Sequence, residues 1–218
     1  MNKKFSRLGG EAFTMVEMLV VIAVLAVLVL MGFSGMQSAA RRVRVADSTS
    51  VMKNIGSALS LHAVDYGTLP GPLLMTHYPN ANSPNQLLGR IWPYLALPAK
   101  PARDEMPREF VPLHWREWVK RTQLKSPGSQ VVIYTSANTL KDSDGERTLV
   151  PFGYPGESNS AAMPWSRIAS SAKLASTILV EDSTGTPLKG DLSPKIGELQ
   201  NYRTRLFLDW HVEVLDLR

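Results

Sequence analysis

The stretch that decides the architecture is Phe13-Thr14-Met15-Val16-Glu17-Met18-Leu19, continued by an unbroken run of apolar and small residues to Met36. Glu17 is the sole charge in it. Wound as an α-helix, a segment of this length reaches about 36 Å, enough to cross a hydrocarbon layer of about 30 Å. Basic residues flank it on both sides: Lys3, Lys4 and Arg7 before it, Arg41, Arg42 and Arg44 after it. The chain of 218 residues carries a formal charge of +5, and these two flanks account for most of it. Residues 45–218 are close to neutral, so the basic balance marks a membrane crossing and not a nucleic-acid-binding surface. Apolar residues at 44% and charged residues at 20% are ordinary globular usage, which argues against general disorder. Cysteine is absent, which removes disulfides, thiolate metal sites and a cysteine nucleophile from consideration.

Three readings of the N-terminal segment compete. A cleaved secretory signal would use the small residues Ser38-Ala39-Ala40 as its processing site. A plain membrane anchor needs only the length and the apolarity. The third reading must explain Glu17, since a carboxylate in the middle of a bilayer costs roughly 2.5–3.5 kcal/mol on insertion scales and such residues are mostly functional. Neither a signal core nor a simple anchor has a use for it. The basic leading side favours a cytoplasmic N-terminus, against the pull of Arg41, Arg42 and Arg44.

Ala12-Phe13-Thr14-Met15-Val16-Glu17-Met18-Leu19, followed directly by an apolar helix, resembles the leader of type IV pilins and type II secretion pseudopilins. The resemblance implies a leader peptide, residues 1–12, cut off on the cytoplasmic face by a prepilin peptidase between Ala12 and Phe13. The same enzyme would methylate the new Phe13 amine. The family usually has Gly before the cut, and Ala12 is a small substitute for it. Phe13, Thr14 and Glu17 carry over as the assembly residues. Phe13 and Glu17 lie four apart, on one helical face, so the carboxylate can be neutralised by its own N-terminus or by a neighbour's. The resemblance favours the neighbour, which sets the axial register of a filament.

Beyond the transmembrane and assembly helix of residues 13–36, the helix is expected to continue over 37–66. Met52, Ile55, Leu59, His62 or Ala63, and Tyr66 recur at spacings of three and four, an amphipathic stripe. Gly67-Thr68-Leu69-Pro70-Gly71-Pro72 then breaks it. Residues 13–66 would make roughly 80 Å of helix, too long for an ordinary globular element. Residues 67–218 are left for a domain that the resemblance places in the periplasm.

Within that domain, residues 70–127 are rich in proline and read as a loop-rich insertion, with short helices expected at Gln86–Trp92 and within Glu109–Lys125. Strands are expected at Gln130–Ser136, Arg147–Phe152, Ser176–Asp182, Tyr202–Leu208 and His211–Leu217, apolar runs between turn-formers. One long helix, irregular linking structure and then antiparallel strands is an α+β order. The resemblance sharpens this to a pilin-like fold, the helix packed on a small C-terminal sheet. Leu206-Phe207-Leu208-Asp209-Trp210-His211-Val212-Glu213 is similar to the F-x-D-G-H-V-E ending of many pilin-like proteins, with Trp210 standing where that pattern has Gly. A primed two-residue turn wants positive φ, cheap for Gly and costly for Trp, which leaves the turn type open.

Other site chemistry is thinly marked. His62, His77, His114 and His211 have no metal-ligand spacing, and Asp209 with His211 has no serine placed beside it. Asp142 and Asp144 open an incomplete calcium loop, and Glu181, Asp182 and Asp191 are alternative calcium ligands; an acidic solvated turn is the simpler reading of all five. Calcium is the one cofactor with any candidate, and otherwise none is expected. Trp92, Trp115 and Trp118 interleave with basic residues over 90–125, a pattern that suits nucleic acid, but a solvated basic face with core-anchored tryptophans is the preferred reading. The expected partners are the prepilin peptidase, other pilin or pseudopilin subunits and the inner membrane, and no enzyme activity is expected. The competing reading is a periplasmic enzyme or binding protein that uses the N-terminal segment only for export or anchoring. Major and minor subunits, and pilus and pseudopilus, are not distinguished by the sequence.

Overall fold

The computed structural model describes residues 14–102, 105–125, 131–137, 139–141, 148–156, 161–184, 194 and 199–217. The chain divides into two compact units, 1–43 and 44–218. Helix α1, Met15–Tyr66, opens in the first and closes in the second. In the first unit its apolar residues are exposed on every side, from Met15 and Leu19 through Leu25 to Leu30. This stretch is long and apolar enough to cross a membrane, and none of it is buried within the structure. Such a surface is unsupportable in water, where contiguous exposed apolar patches are small.

In the second unit α1 is one-sided. Ser48, Val51, Met52, Ile55, Ala58, Leu59 and Ala63 are buried, steps of three and four that keep one face toward the core. The expected stripe holds as far as Ala63, but Tyr66 is 69% exposed and does not belong to it. The helix ends where the breakers predict. Gly67 takes φ +70°, and its N–H reaches the Ala63 carbonyl at 2.9 Å, a left-handed cap that glycine adopts without a Cβ penalty.

The core face of α1 meets a five-stranded antiparallel sheet of order β1-β2-β5-β6-β7. Its strands are β1 Thr76–His77, β2 Tyr134–Ser136, β5 Ile178–Asp182, β6 Tyr202–Phe207 and β7 Val212–Asp216. In β6 alternate residues face opposite ways: Tyr202, Thr204 and Leu206 are buried, and Arg203 and Arg205 are half-buried on the other face. Gly56 of α1 lies over Leu206, close enough that an added Cβ would sit 2.9 Å from Leu206 Cδ1. A second, two-stranded sheet pairs β3 Leu140–Lys141 with β4 Thr148–Leu149. All five expected strand regions thus contain a strand, each shorter than its apolar run.

Residues 70–127 do more than wrap the domain. They provide β1, α2 Leu87–Ile91 with a 3-10 turn at Trp92–Tyr94, and α3 Leu113–Lys125. Leu73, Leu87, Leu88, Ile91, Phe110 and Trp115 are fully or almost fully buried, so this segment is part of the core. Helix α3 has no capping side chain of its own at its start. Asp47 of α1 fills that role, accepting the Leu113 N–H at 2.8 Å. Three elements carried no sequence signal, β1, β3 and α4 Trp165–Ser171. All are short and owe their form to neighbours: β1 to pairing with β2, β3 to pairing with β4, α4 to the β-bridge between Thr68 and Pro164 at its start.

Two buried titratable groups give the second unit an acid response. His77 is completely buried; its Nδ1 accepts the Leu87 N–H at 3.3 Å, so Nε2 carries the proton and finds no partner among the described residues. Burial pulls its pKa down to about 3. Asp182 is also completely buried, and burial pushes it up to about 6 against the pull of its hydrogen bonds from Thr204 and Thr184. The signs are opposite. The histidine's stabilising contribution is lost as pH falls from about 6.5 toward 3, whereas the carboxylate's is lost as pH rises from about 4 to 6. His77→Asn keeps an acceptor for Leu87 and removes the titration. Thermal unfolding in detergent micelles at pH 7 and pH 5 should therefore show the variant less acid-sensitive than the parent by about 2 kcal/mol. Equal sensitivity in both would refute the assignment.

Candidate functional site

Thr14 is the residue before the first helical position of α1, and Glu17 is the third residue inside it. Their contacts form a closed loop. Glu17 N–H donates to Thr14 Oγ1 at 3.3 Å, while Thr14 N–H and Thr14 Oγ1–H donate to Glu17 Oε2 at 2.9 and 2.8 Å. This is a capping box: the first N–H groups of a helix have no partner within it, and a Thr-x-x-Glu pair satisfies two of them reciprocally. The carboxylate also sits at the positive end of the helix dipole, which favours it there. The Thr-x-x-Glu spacing is a helix-start signature legible in the sequence, beside the pairing of Glu17 with Phe13. Ala12 and Phe13 lie outside the described residues.

The box has a chemical consequence. Both bonds from Thr14 fall on Oε2. Oε1 is left without a hydrogen-bond donor among the described residues, on a fully solvent-facing side chain. A carboxylate held in this way is fixed in rotamer yet keeps one oxygen for a further cation.

At the other end of the chain, β6 and β7 are joined by Leu208-Asp209-Trp210, so the C-terminal hairpin is present. Trp210 N–H donates to the Phe207 carbonyl at 3.0 Å, and Phe207 N–H to the His211 carbonyl at 3.0 Å. Trp210 itself takes φ +71°. This is a three-residue loop closed by one residue in the left-handed region, and the residue there is the one that stands in the glycine's place. What offsets the strain is stacking: the Trp210 ring lies on Trp165 of α4, centroids 5.0 Å apart and planes 28° apart. Asp209 and His211 are both used by the turn. Asp209 Oδ1 accepts the His211 N–H at 3.2 Å and also bonds the His211 ring nitrogen Nδ1, and that ring stacks on Phe207 at 4.3 Å.

The acidic candidates separate. Glu181 pairs with Arg203 at 3.4 Å and Arg205 at 3.2 Å on the half-buried face of the sheet. Asp182 points the other way, into the core. Its Oδ2 accepts the Thr204 N–H at 2.6 Å, the Thr204 hydroxyl at 2.8 Å and Gln200 Nε2 at 3.2 Å, and its Oδ1 accepts the Thr184 N–H at 3.1 Å. Neighbours in sequence on opposite faces of a strand do not share an ion. Asp142, Asp144 and Asp191 lie outside the described residues. Among the described residues no group of three or more His, Asp or Glu side chains is placed to hold a metal.

Of the tryptophans interleaved with basic residues, Trp115 and Trp118 are buried against each other, centroids 6.1 Å apart, and Trp92 is partly buried. The rings of Trp115 and Trp118 serve the core. In comparisons with family models, characterised proteins and solved structures, nothing matches the chain.

The turn makes a prediction. Trp210→Ala loses the stack on Trp165 and keeps the left-handed backbone, whereas Trp210→Gly loses the stack and relieves the backbone. The glycine variant should be the more stable of the two by about 1 kcal/mol, read as a higher thermal midpoint, with both below the parent. An alanine variant as stable as the glycine variant would show that Trp210 bears no strain.

Proposed function

We propose that this chain is a prepilin-like structural subunit of a type IV pilus or type II secretion pseudopilus. A prepilin peptidase would cut it between Ala12 and Phe13 and methylate the new amine. The observation that carries this reading is the placement of Thr14 and Glu17 at the head of a helix whose apolar residues are exposed on every side. For a plain anchor the carboxylate adds only part of a helix cap, which Thr14 can begin without it, against the cost of placing a charge in an apolar medium. A subunit that must find a neighbour's N-terminus gains a charge of fixed position.

The capping box refines the mechanism. Thr14 holds Oε2 and fixes the side chain, so Oε1 is the atom for the incoming amine. The α-amine created at Phe13 has a reference pKa of about 7.7–8.0 and is largely protonated at neutral pH, the right charge for that oxygen. In a lipid medium an unpaired carboxylate and an unpaired ammonium are both costly, so the pair forms where two subunits bring them together. The helix spans the inner membrane with its N-terminus in the cytoplasm, the second unit stands in the periplasm, and the subunit's role is architectural.

Mass spectrometry of the protein produced with and without a prepilin peptidase is the direct test. Processing should yield a chain that begins at N-methyl-Phe13, and only when the peptidase is present. A mature end near Arg41, or no processing at all, would instead support export or simple anchoring. The assembly role is tested separately with Glu17→Ala, which should be cut and inserted as the parent is, while incorporation into filaments falls at least tenfold. Normal assembly of that variant would overturn the role given to Glu17.

A further inference from the structure

In the second unit an open cleft of about 430 Å³ lies where the end of α1 meets α2, lined among others by His62, Tyr66, Arg90 and Tyr94. Its volume falls within the range of small-ligand sites. The side chains around it are fixed by contacts with their own surroundings. His62 Nδ1 is 3.0 Å from the Thr68 carbonyl; a carbonyl only accepts, so Nδ1 carries the proton and Nε2 presents a lone pair. Burial holds the His62 pKa below its ordinary value, which keeps the ring neutral and Nε2 an acceptor at pH 7. The Tyr66 ring packs on His62 at 4.7 Å yet remains 69% exposed, and Tyr94 meets His62 edge-on at 5.9 Å. Tyr94 is tied by its hydroxyl to Asp65 Oδ2 at 2.7 Å. Arg90 Nε donates to the Pro84 carbonyl at 2.5 Å, which anchors the guanidinium while its terminal nitrogens make no ion pair among the described residues.

The chemistry narrows the occupant. A cation meets Arg90, and a metal would find a single imidazole nitrogen. An aliphatic chain would bury the guanidinium and the His62 lone pair without partners, at a cost of a few kcal/mol. A saccharide ring satisfies the whole set: its C–H face covers an exposed aromatic ring, a hydroxyl donates to a neutral imidazole, and a carboxylate pairs with an arginine. Exposure of Tyr66 also finds a reason here, since the core does not use that ring.

We propose that this cleft binds an acidic saccharide, with its ring on Tyr66, its carboxylate at Arg90 and a hydroxyl at His62 Nε2. The probe is a disaccharide of glucuronic acid and N-acetylglucosamine, titrated by calorimetry into the full chain in detergent micelles. Saturable binding is expected, weakened about tenfold by Tyr66→Ala and about tenfold by Arg90→Gln, the latter also abolishing preference for the probe over its neutral glucose counterpart. Arg116→Gln, on α3, should bind as the parent does. Tyr66 is largely exposed, so its variant should unfold at the parent's temperature; if it does not, Arg90→Gln alone decides. Absence of saturable binding, binding undiminished in the Arg90 variant, or benzoate binding as tightly as the disaccharide would each overturn the proposal.

Discussion

Everything in this molecule depends on one helix having to satisfy two surroundings. Over its first half α1 is apolar on all sides and none of it is buried within the structure; over its second half it is apolar on one side and buries that side from Ser48 to Ala63. An all-round apolar helix has no stable solution in water, and a one-sided helix has none without a partner surface. The first demand calls for a lipid or protein medium beyond the chain itself. The second is met by the sheet, and the rest of the second unit is arranged around that contact.

Polar groups make that packing specific. Asp47 caps α3 from α1, and Ser48 reaches the Tyr202 hydroxyl at 3.3 Å. His114 of α3 meets Gln200 at 2.7 Å, and Gln200 in turn donates to Asp182. With the Tyr202 hydroxyl also 3.4 Å from His114 Nε2, the bonds from Ser48 to Asp182 join helix, linking segment and sheet in one buried set. The Asp47 cap adds a solvent-exposed link. Apolar burial supplies most of the stabilisation, but it is indifferent to small slides of a helix along a sheet; donors and acceptors with fixed partners are not. The C-terminal hairpin follows the same logic on a smaller scale, with the Trp210–Trp165 stack holding a backbone conformation that tryptophan would not choose alone.

Legibility followed the range of the interactions. The long helix, its breakers at Gly67 and Pro70, and the strand regions came from local pattern, because period and turn chemistry are written in adjacent residues. The helix cap was equally local, and Thr14-x-x-Glu17 could have been read as one. Strand β1 could not, since two residues have no period and exist as a strand only beside Tyr134 and Thr135. The depth at which residues 70–127 enter the core was likewise hidden: proline content signals irregular backbone and says nothing about burial. Glu181 and Asp182 looked alike in sequence and differ because a strand turns successive side chains to opposite faces.

By itself the sequence determined that a single segment is apolar enough to span a membrane, that a carboxylate stands near its head, and that a helix is followed by antiparallel strands. These properties rest on composition and short-range spacing, which any chain displays before it folds. Only the tertiary structure decided that Glu17 offers Oε1 while Thr14 holds Oε2, that Trp210 occupies a left-handed position, and that His62, Tyr66, Arg90 and Tyr94 share one cleft. Each of those depends on distances between atoms brought together through space, and such distances are set by packing and not by residue order.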